Sequence, residues 1–299
     1  MYSDKDYSLY DGIPKNFRHL RNKKMSDWEI APWDLLIHKD KIIGHGEFGQ
    51  VYLSSWRSTK VVAKVMNEDI SQDKKKLFLN EFDTLSKSHH PNIVQIFGYV
   101  NCPFIIVMEY LPKKDLLFYI KKRKLSTQKK INICLDILKG VEYLHSREPQ
   151  SIIHRDLKPQ NIILNECYTA KIADFGLSKI IKESSTLEQL PLNYQDSNLL
   201  NEDLTKLVGT KRYMSPEIKK QLTYNHKIDI WSLGIMFSEL FENKRYNSDF
   251  FWSKTPSKVQ NIIKQFMLRE ESSERLSARE IIILFQKLDN NYCHSCWCS

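Results

Sequence analysis

The apolar pattern of this chain changes character once, near Glu109–Pro112. From Asp34 to Tyr110, short runs of strand type follow one another: "KIIGHGEF", "GQVYLSSW", "KVVAKVM", "IVQIFGYV" and "FIIVMEY". One helical pattern interrupts them, "KKKLFLNEFDTLSKS", in which Leu77, Phe78, Phe82 and Leu85 recur at helical spacing. From Leu111 onward helical patterns dominate, among them "KKINICLDILKGVEYLHS" and "IDIWSLGIMFSELFE". Strands gathered in one stretch and helices in another point to an α+β chain. A small lobe of five strands and one helix, residues 34–110, precedes a larger, mostly helical lobe, residues 111–289. Residues 1–33, polar and carrying Pro14, Pro32 and the basic run "RNKK", read as an N-terminal extension, and residues 290–299 as a Cys-rich tail.

A chain of 299 residues can bury a large core, and 41% hydrophobic with 27% charged residues is the balance of a soluble globular protein. The net charge of +9 suits an anionic ligand or partner without naming one. No motif of a nucleic-acid binder accompanies it, so no nucleic-acid partner is expected. The N-terminus lacks the apolar centre of a signal peptide, and no stretch approaches a membrane span. Six cysteines are too few and too scattered for a disulfide framework, and Cys102, Cys134 and Cys167 read as reduced core residues. An intracellular, cytoplasmic protein is expected; its oligomeric state is not legible.

Four places carry chemistry. "IGHGEFGQV" sets Gly44, Gly46 and Gly49 ahead of Val51, and glycines let a turn bring backbone N–H groups close to phosphate oxygens. A dinucleotide fingerprint would need a helix directly afterwards; "VYLSSW" continues as a strand, which favours a flap over phosphates. Lys64 lies in the otherwise apolar "VVAKV", where a lysine needs an anion, and Glu81 on the following helix is its natural partner. In "HRDLKPQN", Asp156 can accept a proton from a hydroxyl, Lys158 can neutralise a transferring phosphoryl group, and Asn161 offers an oxygen to a metal. "ADFGLSK" adds Asp174, a second oxygen donor for a hard divalent cation such as Mg²⁺. After it comes a long polar stretch, "LSKIIKESSTLEQLPLNYQDSNLLNEDLTKLV", a candidate regulatory segment.

With these motifs in this order, from about Asp34 to Leu288, the chain resembles the eukaryotic protein kinases. The resemblance implies the two-lobed protein-kinase fold and transfer of the γ-phosphoryl group of ATP to protein hydroxyls. It implies that Ile43, Gly44, Gly46, Gly49 and Val51 cover ATP, and that Lys64, paired with Glu81, holds its phosphates. Val51, Val62 and Ile163 would sandwich the adenine, with backbone contacts from Glu109 and Leu111 and Met108 guarding the back of the pocket. Asn161 and Asp174 would bind Mg²⁺, and Asp156 would be the catalytic base. "GTKRYMSPE" resembles the substrate-docking segment, "DIWSLG" offers Asp229 to brace the catalytic loop, and Arg275 matches the family arginine that pairs with Glu217. Lys158 together with Thr210 is similar to the serine/threonine pattern, so the expected partner is a protein presenting a Ser or Thr hydroxyl. "WEIAPWDL" and "YLHSREPQSIIHRDLKP" are similar to the tyrosine-kinase-like group. Arg155 would receive a phosphate from the long segment, with Thr205 the first candidate and Ser184, Ser185 and Thr186 behind it.

Three positions depart from the family pattern: Val62 stands where an alanine would roof the adenine, Ser215 replaces alanine before Pro216, and Leu276 replaces proline after Arg275. The alternative class is a pseudokinase scaffold without turnover, against which Lys64, Asp156 and Asp174 are all present. "KKRK" at Lys121–Lys124 reads as a solvated helix end rather than a nuclear address. The tail "CHSCWCS" leaves lipidation, zinc binding by Cys293, Cys296 and Cys298, and a free tail open.

Overall fold

A computed structural model describes residues 27–46, 49–67, 79, 81–101, 103–122, 125–182, 211–247 and 252–293. Within them the chain forms two compact units, one running to His89 and resuming over Val94–Tyr110, the other made of His90–Ile93 and Leu111 onward.

The first unit is built on five antiparallel strands, β1 (Leu35–Gly46), β2 (Gly49–Trp56), β3 (Thr59–Met66), β4 (Ile96–Val100) and β5 (Ile105–Glu109), in the order β1-β2-β3-β5-β4. Alternation along β3 divides its side chains. Val61 and Ala63 point into a core with Tyr52, Ile105 and Val107, whereas Val62 and Lys64 lie on the opposite face. Residues 81–86 are helical, with Leu85 buried and Phe82 edge-on to Tyr99 and Phe104. Leu77 and Phe78, the other half of the expected apolar stripe, lie outside the described residues.

Residues 28–30, read from sequence as part of a polar extension, join this sheet. Glu29 bridges Tyr99 in parallel, the Ile30 N–H donates to the Tyr99 carbonyl at 2.7 Å, and the Tyr99 N–H donates to the Trp28 carbonyl at 2.9 Å. Ile30 enters the core at 5% exposure. Gly98 makes room for them: at φ 156° it tolerates a backbone that side chains rarely adopt, and a Cβ there would stand 2.4 Å from the Trp28 carbonyl oxygen.

Among the described residues the second unit is organised by three long helices. The 20-residue α2 (Thr127–Ser146), which follows the short α1 (Leu116–Lys122), starts at Ser126, whose hydroxyl accepts the Lys129 N–H. Its buried residues Ile131, Cys134, Leu138, Val141 and Leu144 recur at three- and four-residue steps, the stripe of an amphipathic helix. After the four-residue α3 (Pro216–Lys219) comes α4 (Lys227–Glu242), largely apolar and buried on nearly every side, its buried carboxylates Asp229, Glu239 and Glu242 each hydrogen-bonded. Helix α5 (Ser257–Ile262) leads into a π-helical turn, and α6 (Ala278–Cys293) packs along α2. The expected boundary between residues 289 and 290 therefore falls inside a helix. Two small ribbons complete the unit: β6 (Gln150–Ile153) pairs with β9 (Lys179–Lys182), and β7 (Ile162–Leu164) with β8 (Ala170–Ile172). Cys134 is buried as expected, but Cys167 is exposed, because it sits in the β7–β8 turn rather than on a strand. Among the described residues no helix is long and apolar enough to cross a membrane.

Candidate active site

In the first unit the glycine string is the β1–β2 hairpin, as the strand-like "VYLSSW" requires, with Gly46 opposite Gly49 at its end. Glu47 and Phe48 lie outside the described residues. Gly49 is obligatory for a reason of packing: a Cβ there would meet the Val65 carbonyl oxygen at 1.8 Å. At Gly44 the nearest atom would be Val51 Cβ at 3.8 Å, so space does not demand a glycine there. Val51 and Val62 are half-buried on one sheet face with Lys64 and Met108, as the register shows: Val51 stands opposite Lys64 and Val62 opposite Met108. Ile43 is 45% exposed on β1. The Lys64 Nζ donates to Glu81 Oε2 at 2.5 Å with 7% and 1% of the two side chains exposed, the pairing that a lysine in an apolar strand needs. At the end of β5 the Glu109 N–H donates to the Gln95 carbonyl and the Glu109 carboxylate accepts the Gln95 N–H, which pins this strand end to the segment before β4.

In the second unit, the segment His154–Asn161 joins β6 to β7. The carboxylate of Asp229, in the first turn of α4 and fully buried, holds it from below. Its Oδ2 accepts the His154 N–H at 2.9 Å and the His145 ring nitrogen Nε2 at 2.8 Å, and its Oδ1 accepts the Arg155 N–H at 2.9 Å. Burial alone would raise this carboxyl, but His145 and His154 outweigh it and hold Asp229 below the usual range. Anchored this way, Arg155 takes a left-handed φ of 67°. Its guanidinium donates to the Leu177 carbonyl at 2.6 Å and to the Tyr224 hydroxyl at 3.1 Å.

Asp156 follows, only 7% exposed. Lys158 donates to its Oδ2 at 2.5 Å, and the Asn161 amide donates to the same oxygen at 2.9 Å and to the Asp156 carbonyl at 2.8 Å. Oδ1 is buried and has no partner among the described residues. Burial raises the Asp156 carboxyl, and the charge of Asp174 adds to that against the lowering effect of Lys158.

The two loops are latched together. Ala173 donates its N–H to the Asn161 carbonyl at 2.8 Å, and His154 Nε2 donates to the Ala173 carbonyl at 3.2 Å, while its Nδ1 accepts the Asp156 N–H at 3.3 Å. Full burial lowers the His154 pKa, which suits a neutral ring with one nitrogen donating and the other accepting. Phe175 is fully buried with its ring 4.7 Å from that imidazole. Asp174, between Ala173 and Phe175, takes a left-handed φ of 65°. Because the Asn161 NH₂ group is committed to Asp156, its Oδ1 is left as the acceptor. An amide oxygen such as this and a carboxylate such as that of Asp174 are oxygen donors of the kind a hard divalent cation takes. Ile163 and Leu111 are half-buried in this unit.

Farther on, Glu217 in α3 is held by Arg275, whose two terminal nitrogens meet the two carboxylate oxygens at 2.6 and 2.8 Å with none of the arginine side chain exposed. Arg275 also donates to the carbonyls of Arg269, Glu270 and Lys227. Ser215 is buried and its hydroxyl has no partner among the described residues, although it sits at the N-cap of α3. Thr205, Thr210, Ser184, Ser185 and Thr186 lie outside the described residues.

Sequence reasoning brings out Lys64, Glu81, Asp156, Lys158, Asn161, Asp174, Asp229 and the Glu217–Arg275 pair. It does not single out His145, His154 or Tyr224. A histidine directly before Arg155-Asp156 is a signal for His154; nothing local marks Tyr224, which comes from a loop 69 positions away from its partner Arg155.

Residues 37–284 match the protein kinase domain family. Serine/threonine-protein kinase VIK of Arabidopsis thaliana is 37% identical over 228 residues, 74% of this chain and 49% of that protein. Serine/threonine-protein kinase CTR1 of the same plant is 34% identical over 216 residues, 70% of this chain and 24% of that protein. Dual specificity protein kinase pyk3 of Dictyostelium discoideum is 37% identical over 205 residues, 68% of this chain and 14% of that protein. The chain thus spans half or less of the length of these relatives.

Proposed function

The chain belongs to the protein kinase family, and from that premise we propose that it is an ATP-dependent serine/threonine kinase, transferring the γ-phosphoryl group of ATP to a protein hydroxyl. The observation that carries this reading is the state of Asp156. One carboxylate oxygen is held by Lys158 and Asn161, and the other is buried with no partner among the described residues. An orphaned acceptor at this position is what an incoming Ser or Thr hydroxyl would satisfy, so Asp156 orients that hydroxyl and takes its proton. Lys158, 2.5 Å from the same carboxylate, balances charge on the transferring group.

The first unit supplies the nucleotide contacts. Lys64, held upright by Glu81, meets phosphate oxygens, and Val51 and Val62 on the same sheet face meet the adenine. Since the Glu109 N–H is already bonded to Gln95, an adenine contact from Glu109 comes from its carbonyl; Leu111 supplies the neighbouring N–H. Gly44, Gly46 and Gly49 cover the phosphates, Met108 closes the back, and Ile43 and Ile163 add apolar contacts. Asn161 Oδ1 and Asp174 would hold Mg²⁺, which when bound neutralises phosphate charge. Arg155 and Thr205 form the regulatory pair, and Thr210 accompanies Lys158 in the preference for serine and threonine. The relatives' names agree with that preference, pyk3 also carrying dual specificity.

A second reading, a nucleotide-binding scaffold without turnover, draws on Val62, whose two extra methyls narrow the adenine roof relative to alanine. Radiolabel transfer from ATP to a generic basic protein separates the two. Incorporation on serine or threonine that disappears in Asp156→Asn supports the kinase. Nucleotide binding with no incorporation by the parent protein supports the scaffold.

A further inference from the structure

The second unit carries a basic surface that the catalytic reading does not use. At its centre is Tyr168 in the β7–β8 turn. Two ammonium groups lie against this one ring, Lys113 Nζ at 4.6 Å and Lys129 Nζ at 4.4 Å from its centroid. They come from distant parts of the sequence, one from the loop before α1 and the other from the first turn of α2. With these two legs they stand no more than 9.0 Å apart. Like charges gathered so closely repel one another, and the ring quadrupole offsets that only in part. Among the described residues neither lysine has a carboxylate within ion-pair distance.

The ring is fixed in place. Asn165 Oδ1 accepts the N–H groups of Cys167 and Thr169 at 3.0 and 2.9 Å, and the Tyr168 N–H returns to the Asn165 carbonyl at 3.0 Å. Tyr168 itself stands at a left-handed φ of 65° and meets Tyr119 edge-on at 5.8 Å. The surface continues onto α1, where Lys122 lies 5.7 Å from the ring of Phe118, which is 39% exposed. Lys114, Lys121 and Lys122 are exposed as well; the other two members of "KKRK" lie outside the described residues. Among the described residues three carboxylates are local. Asp115 is engaged, its Oδ1 accepting the Phe118 N–H at 2.8 Å; Asp136 on α2 is engaged as well, its Oδ2 accepting the Ala170 N–H at 3.0 Å; and Glu166 is exposed in the turn. Five lysines, Lys113, Lys114, Lys121, Lys122 and Lys129, so outnumber the local acids.

We infer that the Lys113–Tyr168–Lys129 cluster, extended by Phe118 and Lys122, is a docking surface for an acidic linear segment of a partner protein. Charge complementarity selects the carboxylates, which complete ion pairs with ammonium groups already held in place. The exposed Phe118 ring takes an apolar side chain between them, a combination that neither a free anion nor a purely ionic surface uses. Tyr168 acts as the platform that holds the two lysines for this contact. The surface does not depend on phosphoryl transfer.

The test is fluorescence anisotropy of the full chain with a fluorescein-labelled peptide of alternating Glu and Leu, and a matched Gln and Leu peptide as control. The Glu peptide binds, the Gln peptide binds much more weakly, and added salt weakens the difference. Lys113→Ala with Lys129→Ala reduces affinity about fivefold or more. Tyr168→Ala reduces it as well, whereas Tyr168→Phe retains it. Lys258→Ala with Lys264→Ala, which removes the same charge from an exposed surface elsewhere, leaves it unchanged. Melting curves of the variants confirm that each folds; among the described residues the Lys113 and Lys129 side chains donate no hydrogen bond whose loss would unfold the unit. Equal loss in both double variants, equal binding of the two peptides, or tighter and equally lysine-dependent binding of a single-stranded oligonucleotide overturns the proposal.

Discussion

Replacing Asp229 with asparagine keeps the shape of the side chain and removes its charge, and the surrounding donors set the cost. The carboxylate accepts three hydrogen bonds with no exposure to water. If the new NH₂ group takes the Oδ2 position it faces the His154 N–H; if it takes Oδ1 it faces the Arg155 N–H. In either pose one buried N–H of the loop meets a donor, and the surviving bonds lose the help of the charge. Leaving a buried polar group unsatisfied costs about 1–3 kcal/mol, and a hydrogen bond to a charged group is worth about 1.5–3 kcal/mol, so a loss of about 3 kcal/mol is expected. For a unit of this size that lowers the melting temperature by about 6–12 °C. Arg155, at φ 67°, then loses the contact that holds its backbone in a sparsely populated region, so Asp156 is displaced and label transfer falls. Amide exchange at residues 154 and 155 accelerates selectively. The pH dependence has a definite sign. Asp229 is depressed below its ordinary 3.8, so its contribution is complete above that value and is lost as pH falls through the folded one. The gap between parent and Asp229→Asn accordingly closes only below pH 3.8. A variant that melts within about 1 °C of the parent, with unchanged exchange at those amides, would refute the bracing role.

Three further outcomes can be checked. Ser215→Ala removes a buried hydroxyl that bonds to nothing among the described residues and stabilises the protein by about 1 kcal/mol in urea denaturation; destabilisation would mean the hydroxyl has a partner. Burial opposes ionisation of Glu242, but the Thr255 hydroxyl and the N–H groups of Lys254, Thr255 and Ser253 hold its carboxyl down at about 2, against 4.5. Its contribution is complete above pH 4.5 and vanishes toward pH 2, and Glu242→Gln flattens acid unfolding across that window. Gly49→Ala drives a methyl into the Val65 carbonyl, destabilises the hairpin by about 1–3 kcal/mol and raises the KM for ATP, as melting and steady-state kinetics will show.

How much of the site is legible in the sequence depends on how far each interaction reaches. Lys64 signals its own need, because a lysine in an apolar strand must find an anion, and Glu81 is the acid that the next helix offers. The order of the Asp156, Asn161 and Asp174 motifs carries the resemblance on which the proposed chemistry rests. Their mutual geometry is another matter. The latch of His154 onto Ala173, the β6–β9 pairing of Ile153 with Lys179, and the contact of Arg155 with Tyr224 are set by tertiary packing between segments whose separation in sequence carries no local signature. Cys167 illustrates the opposite failure: apolar neighbours suggested burial, but the chain turns there between two strands. Residues 28–30 look polar and irregular in isolation, and only the exposed edge of β4 turns Ile30 into a core residue.

That last feature bears on where the domain can be cut. The strand pattern begins at Asp34, and a chain trimmed to that point keeps every motif of the site. It loses the seam that finishes the sheet, however. The N–H and carbonyl of Tyr99 are stripped of their mates, and the place that Ile30 fills is emptied. A raw strand edge beside an apolar gap invites another chain to stitch itself on, so the shorter protein is expected to self-associate while the longer one stays whole.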